Sequence, residues 1–300
     1  MKGTELFLHR RSYKFPCEAG LRKTWKEVGL GCLNLLLLIV VVIAAQLTLR
    51  KFGTPSWGLA VVAFVCFAVY VCGAKWIERR YVTDLPADRA LECLPGMALG
   101  FVLFSAVIGT LWAAGVYHPA GMGNANSVAR GFVFALSAGV TEEILFRGLL
   151  FRLSAKILGT WGALLLTAAL FGAAHAANPG ATVTSSLAIA LEAGILLGAA
   201  YAATTRLWLP IGLHIGWNFT EGSIFSMSVS GNTARTGIFR GSLSGPPILT
   251  GGQFGPEASI VAVLVCLIAA VYFLRRTVKL KLVQPAVWSR KMESLAARSA

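Results

Sequence analysis

Apolar residues gather into long runs separated by short polar, often basic, connections. Runs near 28–49, 56–77, 94–117, 129–151, 160–178, 184–204, 208–229 and 258–275 each approach the roughly 20 residues a helix needs to cross a hydrocarbon core. In lipid every backbone polar group must be satisfied inside a helix or a closed barrel. A barrel would show short segments of alternating apolarity, whereas these runs are continuous. The pattern predicts an all-α, polytopic integral membrane helical bundle of about eight transmembrane helices. One connection is long: residues 230–257 form a Gly/Ser/Pro-rich loop with Gly245-Pro246-Pro247 and Gly251-Gly252. The expected organisation is a basic N-terminal tail (1–27), a membrane domain (28–275) and a basic C-terminal tail (276–300), with no soluble second domain and no repeat.

Composition agrees. Hydrophobic residues make up 56% and charged residues 13% of the chain, with a mean hydropathy of +0.69; soluble domains carry about 25% charged residues. The net charge of +14 does not point to nucleic acid, because the basic residues flank the apolar runs. With the N-terminus inside, only Arg50, Lys51, Arg130, Arg235 and Arg240 fall outside, and the remaining 22 of 27 fall inside. By the positive-inside rule both termini are expected to be cytoplasmic. The localisation expected is a multi-pass membrane protein, in the cell membrane if the source is bacterial. Basic tails attract anionic lipid by about 1 kcal/mol per residue, so membrane lipid is an expected partner. The first run is longer than the roughly 7–15 apolar residues of a secretory signal, which favours a retained span. The six cysteines form no CxxC pair and are expected to be small buried residues.

Against this background a few polar residues stand out. An ionisable group mid-membrane costs about 2.5–3.5 kcal/mol on insertion scales and invites a functional hypothesis. The fourth run contains Thr141-Glu142-Glu143-Ile144-Leu145-Phe146-Arg147. Glu143 and Arg147 are four apart and can pair on one helix face. Glu142 points about 100° away and needs another partner. The fifth run ends Phe171-Gly172-Ala173-Ala174-His175, and the seventh contains His214-Ile215-Gly216-Trp217-Asn218, with Glu221 continuing the His214 face. Each has a structural alternative: an ion pair at a helix end, an interfacial histidine, polar glue between helices. Together they are residue types used in hydrolysis. A carboxylate takes a proton from water, a histidine shares it, and a His/Asn pair one turn apart can hold an oxyanion. Glu192, ahead of Gly194 and Gly198 in the sixth run, and Glu221 are possible cavity-lining residues.

EExxxR (Glu142, Glu143, Arg147), FxxxH (Phe171, His175) and HxxxN (His214, Asn218), in that order on successive apolar runs, resemble the motifs of the CPBP family, which includes the CAAX prenyl endopeptidases and many bacterial intramembrane proteases. The stretch Gly251–Glu257 resembles a segment seen in some bacterial members. The resemblance implies an intramembrane endopeptidase in which Glu142 and His175 activate water, His214 and Asn218 stabilise the oxyanion, and Glu143, Arg147 and Phe171 support the site. It implies a membrane-associated or lipidated protein or peptide as substrate, and no nucleic acid. The family is often described as metal-dependent; zinc, if present, would take Glu142, His175 and His214. No helix carries HExxH, and Asn218 suits an oxyanion better than zinc. No cofactor is therefore favoured, and zinc stays the alternative.

Two other functions use the same residues: a transporter or proton relay, against which no internal repeat is visible, and a non-catalytic scaffold or immunity protein. The hydrolase reading also carries a demand. Simple span counting puts Glu142 mid-membrane, His175 toward the outer end and His214 toward the inner end. They can meet only if helices are tilted, broken or offset, with Gly172, Gly212 and Gly216 allowing close approach.

Overall fold

A computed structural model describes residues 18–52, 56–232 and 237–289. The far ends of both basic tails, with most of the N-terminal one, lie outside the described residues. Helix α1 spans Glu18–Phe52 and α2 spans Ser56–Trp76. A polar turn leads to α3, Cys93–Ala113. Helix α4, Val128–Glu143, continues as a π-helical segment Ile144–Phe151, and α5 is Arg152–Ala174. Helix α6, Val183–Ile189, runs through a π turn, Ala190–Gly194, into α7, Ile195–Thr204. Helix α8, Trp208–Phe219, likewise ends in a π turn, Thr220–Ile224. A short α9, Pro247–Thr250, precedes α10, Ile260–Lys279.

Among the described residues, six helical stretches are long and apolar enough to cross a membrane: Arg22–Leu49, Trp57–Trp76, Ala87–Ala113, Val128–Ala177, Val183–Thr204 and Ile260–Lys279. The chain is an integral membrane protein built as a polytopic helical bundle. Helices occupy all eight places marked by the apolar runs, but they do not map one to one onto these stretches. Val128–Ala177 is one continuous stretch that turns at Gly159 (φ 71°, ψ 179°), and the helix that begins at Trp208 is short. Outward-facing Leu37, Val40, Phe64, Val102, Leu165 and Ile268 are where lipid replaces water as solvent.

Several boundaries differ from the expected ones. The first helix starts at Glu18 rather than near 28, because its basic first turns continue the helix beyond the apolar run. The third ends at Ala113 rather than 117, where Gly115 adopts a left-handed φ of 71°. The chain then forms strand β1, Tyr117–Met122, which pairs antiparallel with β2, Phe239–Leu243, around a bulge at Pro119/Gly121. An all-α expectation left this two-stranded ribbon out. Its strands are short and largely exposed, so no apolar alternation announced it.

Two helix seams set the depth of the polar residues. Gly96 and Gly100 of α3 face Gly212 and Gly216 of α8, so closely that a Cβ at Gly216 would lie 2.1 Å from the Met97 carbonyl oxygen. Small residues at four-residue spacing let membrane helices approach backbone to backbone. The second seam joins α5 to the helix beside it: Gly172 abuts Ser186 and Ala190, and Gly194 abuts Ala168. Helix α6 is started by a capping box between Thr182 and Ser185, which satisfies orphan N–H groups at its first turn.

Candidate active site

Glu142 and Glu143 are the last residues of α4, where the winding changes to π. Such segments add a residue per turn and recur at functional sites. Glu192 and Glu221 also sit in π turns. Glu143 is fully buried; its Oε1 accepts from Arg147 Nη1 at 2.8 Å and lies 3.0 Å from His214 Nδ1. Arg147, equally buried, donates from Nη2 to the carbonyls of Ala193 (3.0 Å) and Gly194 (3.2 Å) and lies over the Phe171 ring at 4.7 Å. One guanidinium thus ties α4, α5 and the π turn after α6 together. The pairing of Glu143 with Arg147 expected from their spacing is present.

Glu142 points elsewhere. Its Oε2 lies 3.9 Å from His175 Nε2 and has no hydrogen-bond partner. His175 Nδ1 is 2.8 Å from the Phe171 carbonyl oxygen. A carbonyl only accepts, so Nδ1 carries a proton and Nε2 is the nitrogen that faces Glu142. The Phe171 ring lies against both imidazoles, 4.7 Å from His175 and 6.2 Å from His214. Helix α5 ends at the depth of the site because the Gly159 break offsets its start, and α8 is carried to the same depth by its glycine seam with α3. The residues that span counting had scattered are brought together.

A small cavity of about 20 Å³ lies here, lined among others by His175, Glu192, His214, Asn218, Ser230 and Glu257. That is room for about one water. Glu192 Oε2 accepts from the Cys266 thiol at 3.3 Å. Glu221 is not in the cavity wall; it is fully buried behind it, beside Glu257. The Trp217 ring also lines the cavity, and its buried indole N–H has no partner.

Ser230, Glu257 and the Trp217 N–H were not singled out from the sequence. The first two belong to the long loop, which folds inward instead of standing off the bundle. Gly231 N–H donates to the Phe254 carbonyl at 2.7 Å, Asn178 Nδ2 donates to the Ser230 carbonyl at 3.0 Å, and Gly251 and Gly255 take positive φ. One signal was available: Glu257 is the only charged residue between Gly241 and Leu274.

Among the described residues, no three His, Cys, Asp or Glu side chains are arranged to hold a metal ion. Glu142, His175 and His214 are not placed as such a set; His214 turns Nδ1 to Glu143 and His175 turns Nδ1 to a backbone carbonyl, which leaves Nε2 of each ring free. No curated protein and no solved structure matches the chain. One family model does, that of the Rce1-like type II CAAX prenyl endopeptidases, over residues 124–220. That segment carries Glu142, Glu143, Arg147, Phe171, His175, His214 and Asn218, and over it the likeness of this chain to the CPBP family is borne out.

Proposed function

We propose that this chain is an intramembrane endopeptidase that hydrolyses a peptide bond with a water activated by Glu142 and His175. The observation that carries the reading is the 3.9 Å between Glu142 Oε2 and His175 Nε2. That is too long for a direct hydrogen bond and suits two acceptors bridged by one water. A water donating to both presents its lone pairs to a carbonyl carbon. As it attacks, Glu142 takes its proton. The carbonyl oxygen becomes an anion that accepts from His214 Nε2–H and the Asn218 amide. Glu143 on Nδ1 stabilises the imidazolium His214 needs for that donation, and Arg147 holds Glu143 in place. The C–N bond then breaks and the leaving nitrogen takes up a proton.

The matched family acts on CAAX prenyl proteins. Carried over to this chain, that makes the substrate a lipidated, membrane-associated peptide. An apolar groove of about 740 Å³ on the α5–α6 seam, lined by Leu165, Ala169, Ala173, Val183, Leu187 and Leu191, supports lateral access for such a substrate. The cavity itself holds little more than water, so peptide binding requires its wall to part. The Ser230 and Glu257 part of that wall belongs to a loop rather than a span.

Glu142→Gln removes the base and keeps the shape. In proteoliposomes with an internally quenched farnesylated peptide, it is expected to lower cleavage by about 10²-fold or more while membrane insertion is unchanged. Cleavage at the wild-type rate would reject the mechanism. The same assay after stringent chelation is expected to retain activity; loss restored by zinc would favour the metal alternative.

A further inference from the structure

Glu142 is not in the cavity wall, but three other acids stand at the cavity. Glu192 and Glu257 line it, and Glu221 stands behind Glu257; all three are at most 2% exposed. Ser230 hydrogen-bonds Glu257 from both backbone and side chain. Glu257 Oε1 nevertheless has no donor, and neither oxygen of Glu221 has one at hydrogen-bonding geometry, although the Glu257 N–H lies near. The two carboxyl groups face each other. Two carboxylates are acceptors only, and such a contact becomes a hydrogen bond only when one carries a proton. Charge balance agrees. Glu142, Glu143, Glu192, Glu221 and Glu257 share the region with Arg147 and two imidazoles. Even with both imidazoles charged, neutrality requires protons on at least two carboxyl groups, and unpaired buried charge is too costly to sustain.

Resting on the endopeptidase reading, we propose that Glu257 is a protonated acid of the active site that gives its proton to the leaving amine. Glu142 and Glu257 then divide the proton traffic. The attacking water forms the C–O bond and its proton goes to Glu142. As the C–N bond breaks, the nitrogen takes the Glu257 proton and leaves as an amine, and Glu257 becomes a carboxylate. The proton on Glu142 passes through His175 to Glu257, and both groups return to their starting states. Glu221 is the positioning residue, because the proton shared across the Glu221–Glu257 contact fixes which oxygen faces the cavity.

The test rests on the leaving group. An amine must be protonated as it departs, whereas the alkoxide of an ester leaves with far less help. A quenched farnesylated peptide and its depsipeptide analogue, with an ester at the scissile position, are cleaved by wild type, Glu257→Gln, Glu257→Asp and Glu142→Gln. Glu257→Gln is expected to lose roughly 10²–10⁴-fold on the amide, the range a positioned acid supplies, with the ester rate near wild type and KM unchanged. Glu257→Asp, which keeps the acid but shortens its reach, is expected to be intermediate on the amide alone. Glu142→Gln is expected to fail on both substrates. Wild-type amide cleavage by Glu257→Gln, or equal loss on amide and ester in either Glu257 variant, overturns the proposal. Undiminished cleavage by Glu142→Gln, or no cleavage of either substrate by wild type, defeats the underlying reading and this proposal with it. Infrared spectroscopy of the unliganded protein gives a readout independent of turnover. The protonated-carboxyl C=O stretch is expected at neutral pH and weaker in Glu257→Gln; a wild-type spectrum without it overturns the proposal.

Discussion

At the scale of single residues, the site depends on whether each buried charge has a partner. Glu143 and Arg147 have each other at 2.8 Å and no exposure. Removing one member of a buried pair is costly because the other stays behind uncompensated. Arg147→Ala is therefore expected to destabilise the protein by about 3–5 kcal/mol, read as a lower unfolding midpoint in detergent. The double variant Glu143→Gln/Arg147→Met removes both charges and is expected to recover most of that stability. It should not recover cleavage, since His214 loses the carboxylate on Nδ1. A double variant as unstable as Arg147→Ala would mean that the guanidinium acts mainly through the Ala193 and Gly194 carbonyls. The Glu143–Arg147 pair was legible in the sequence because its four-residue spacing is local. The partner of Glu142 was not, because His175 lies on another helix and the 3.9 Å between them depends on how that helix is offset.

At the scale of elements, the positions of the functional groups come from glycine seams and π turns. The seam of Gly96 and Gly100 with Gly212 and Gly216 sets the height of His214 and Asn218. Gly216→Val would drive a side chain into the Met97 carbonyl, 2.1 Å from its Cβ. Overpacking of this kind costs about 1–3 kcal/mol. A displacement of about 1 Å at the proposed oxyanion donors is worth about 10²-fold in rate. The expected result is a large fall in kcat with KM little changed. Gly109→Val, on the facing helix α3 and with nothing within 4 Å of its Cβ, is the control and should be silent. Equal effects from the two would show that helix propensity, not the seam, is responsible. The seam was partly visible in advance as small residues four apart. The π turns at Ile144–Phe151, Ala190–Gly194 and Thr220–Ile224 were not. A one-residue change of winding leaves no trace in a helix that is apolar on nearly every face. The inward fold of the long loop was hidden for a related reason, since its Gly and Pro content marks turns without saying which way they face.

At the scale of the whole molecule, the apolar runs gave the bundle its helices, but not the network that clamps one end of it. Glu78, just beyond α2, accepts from Asn34 of α1 (2.8 Å) and pairs with Arg152 of α5 (2.8 Å) and with Arg80 (3.1 Å). Tyr70 donates to Asp84, its hydroxyl lies 3.2 Å from the Gly148 carbonyl, and Arg80 reaches both Tyr70 and Asp84. In the sequence Arg80 is indistinguishable from a topological signal that stops transfer. In the fold it is half-buried and fully engaged. None of its residues lines the cavity beside His175 and His214, so it separates stability from the proposed chemistry. Burial pushes the Glu78 carboxyl up, but Arg152, the Asn34 amide and Arg80 together outweigh it and hold the group below the ordinary glutamate range. A depressed folded-state value stabilises the protein above the unfolded pKa, and that stabilisation is lost as pH falls through the folded value. The unfolding midpoint of the wild type is thus expected to drop on acidification below the ordinary glutamate range. Glu78→Gln should start lower at neutral pH and show a shallower fall, because its uncharged amide keeps Asn34 company but no longer attracts two guanidinium groups. If wild type and variant lose stability in parallel, the acid sensitivity belongs to other carboxyl groups and the clamp is not held by charge.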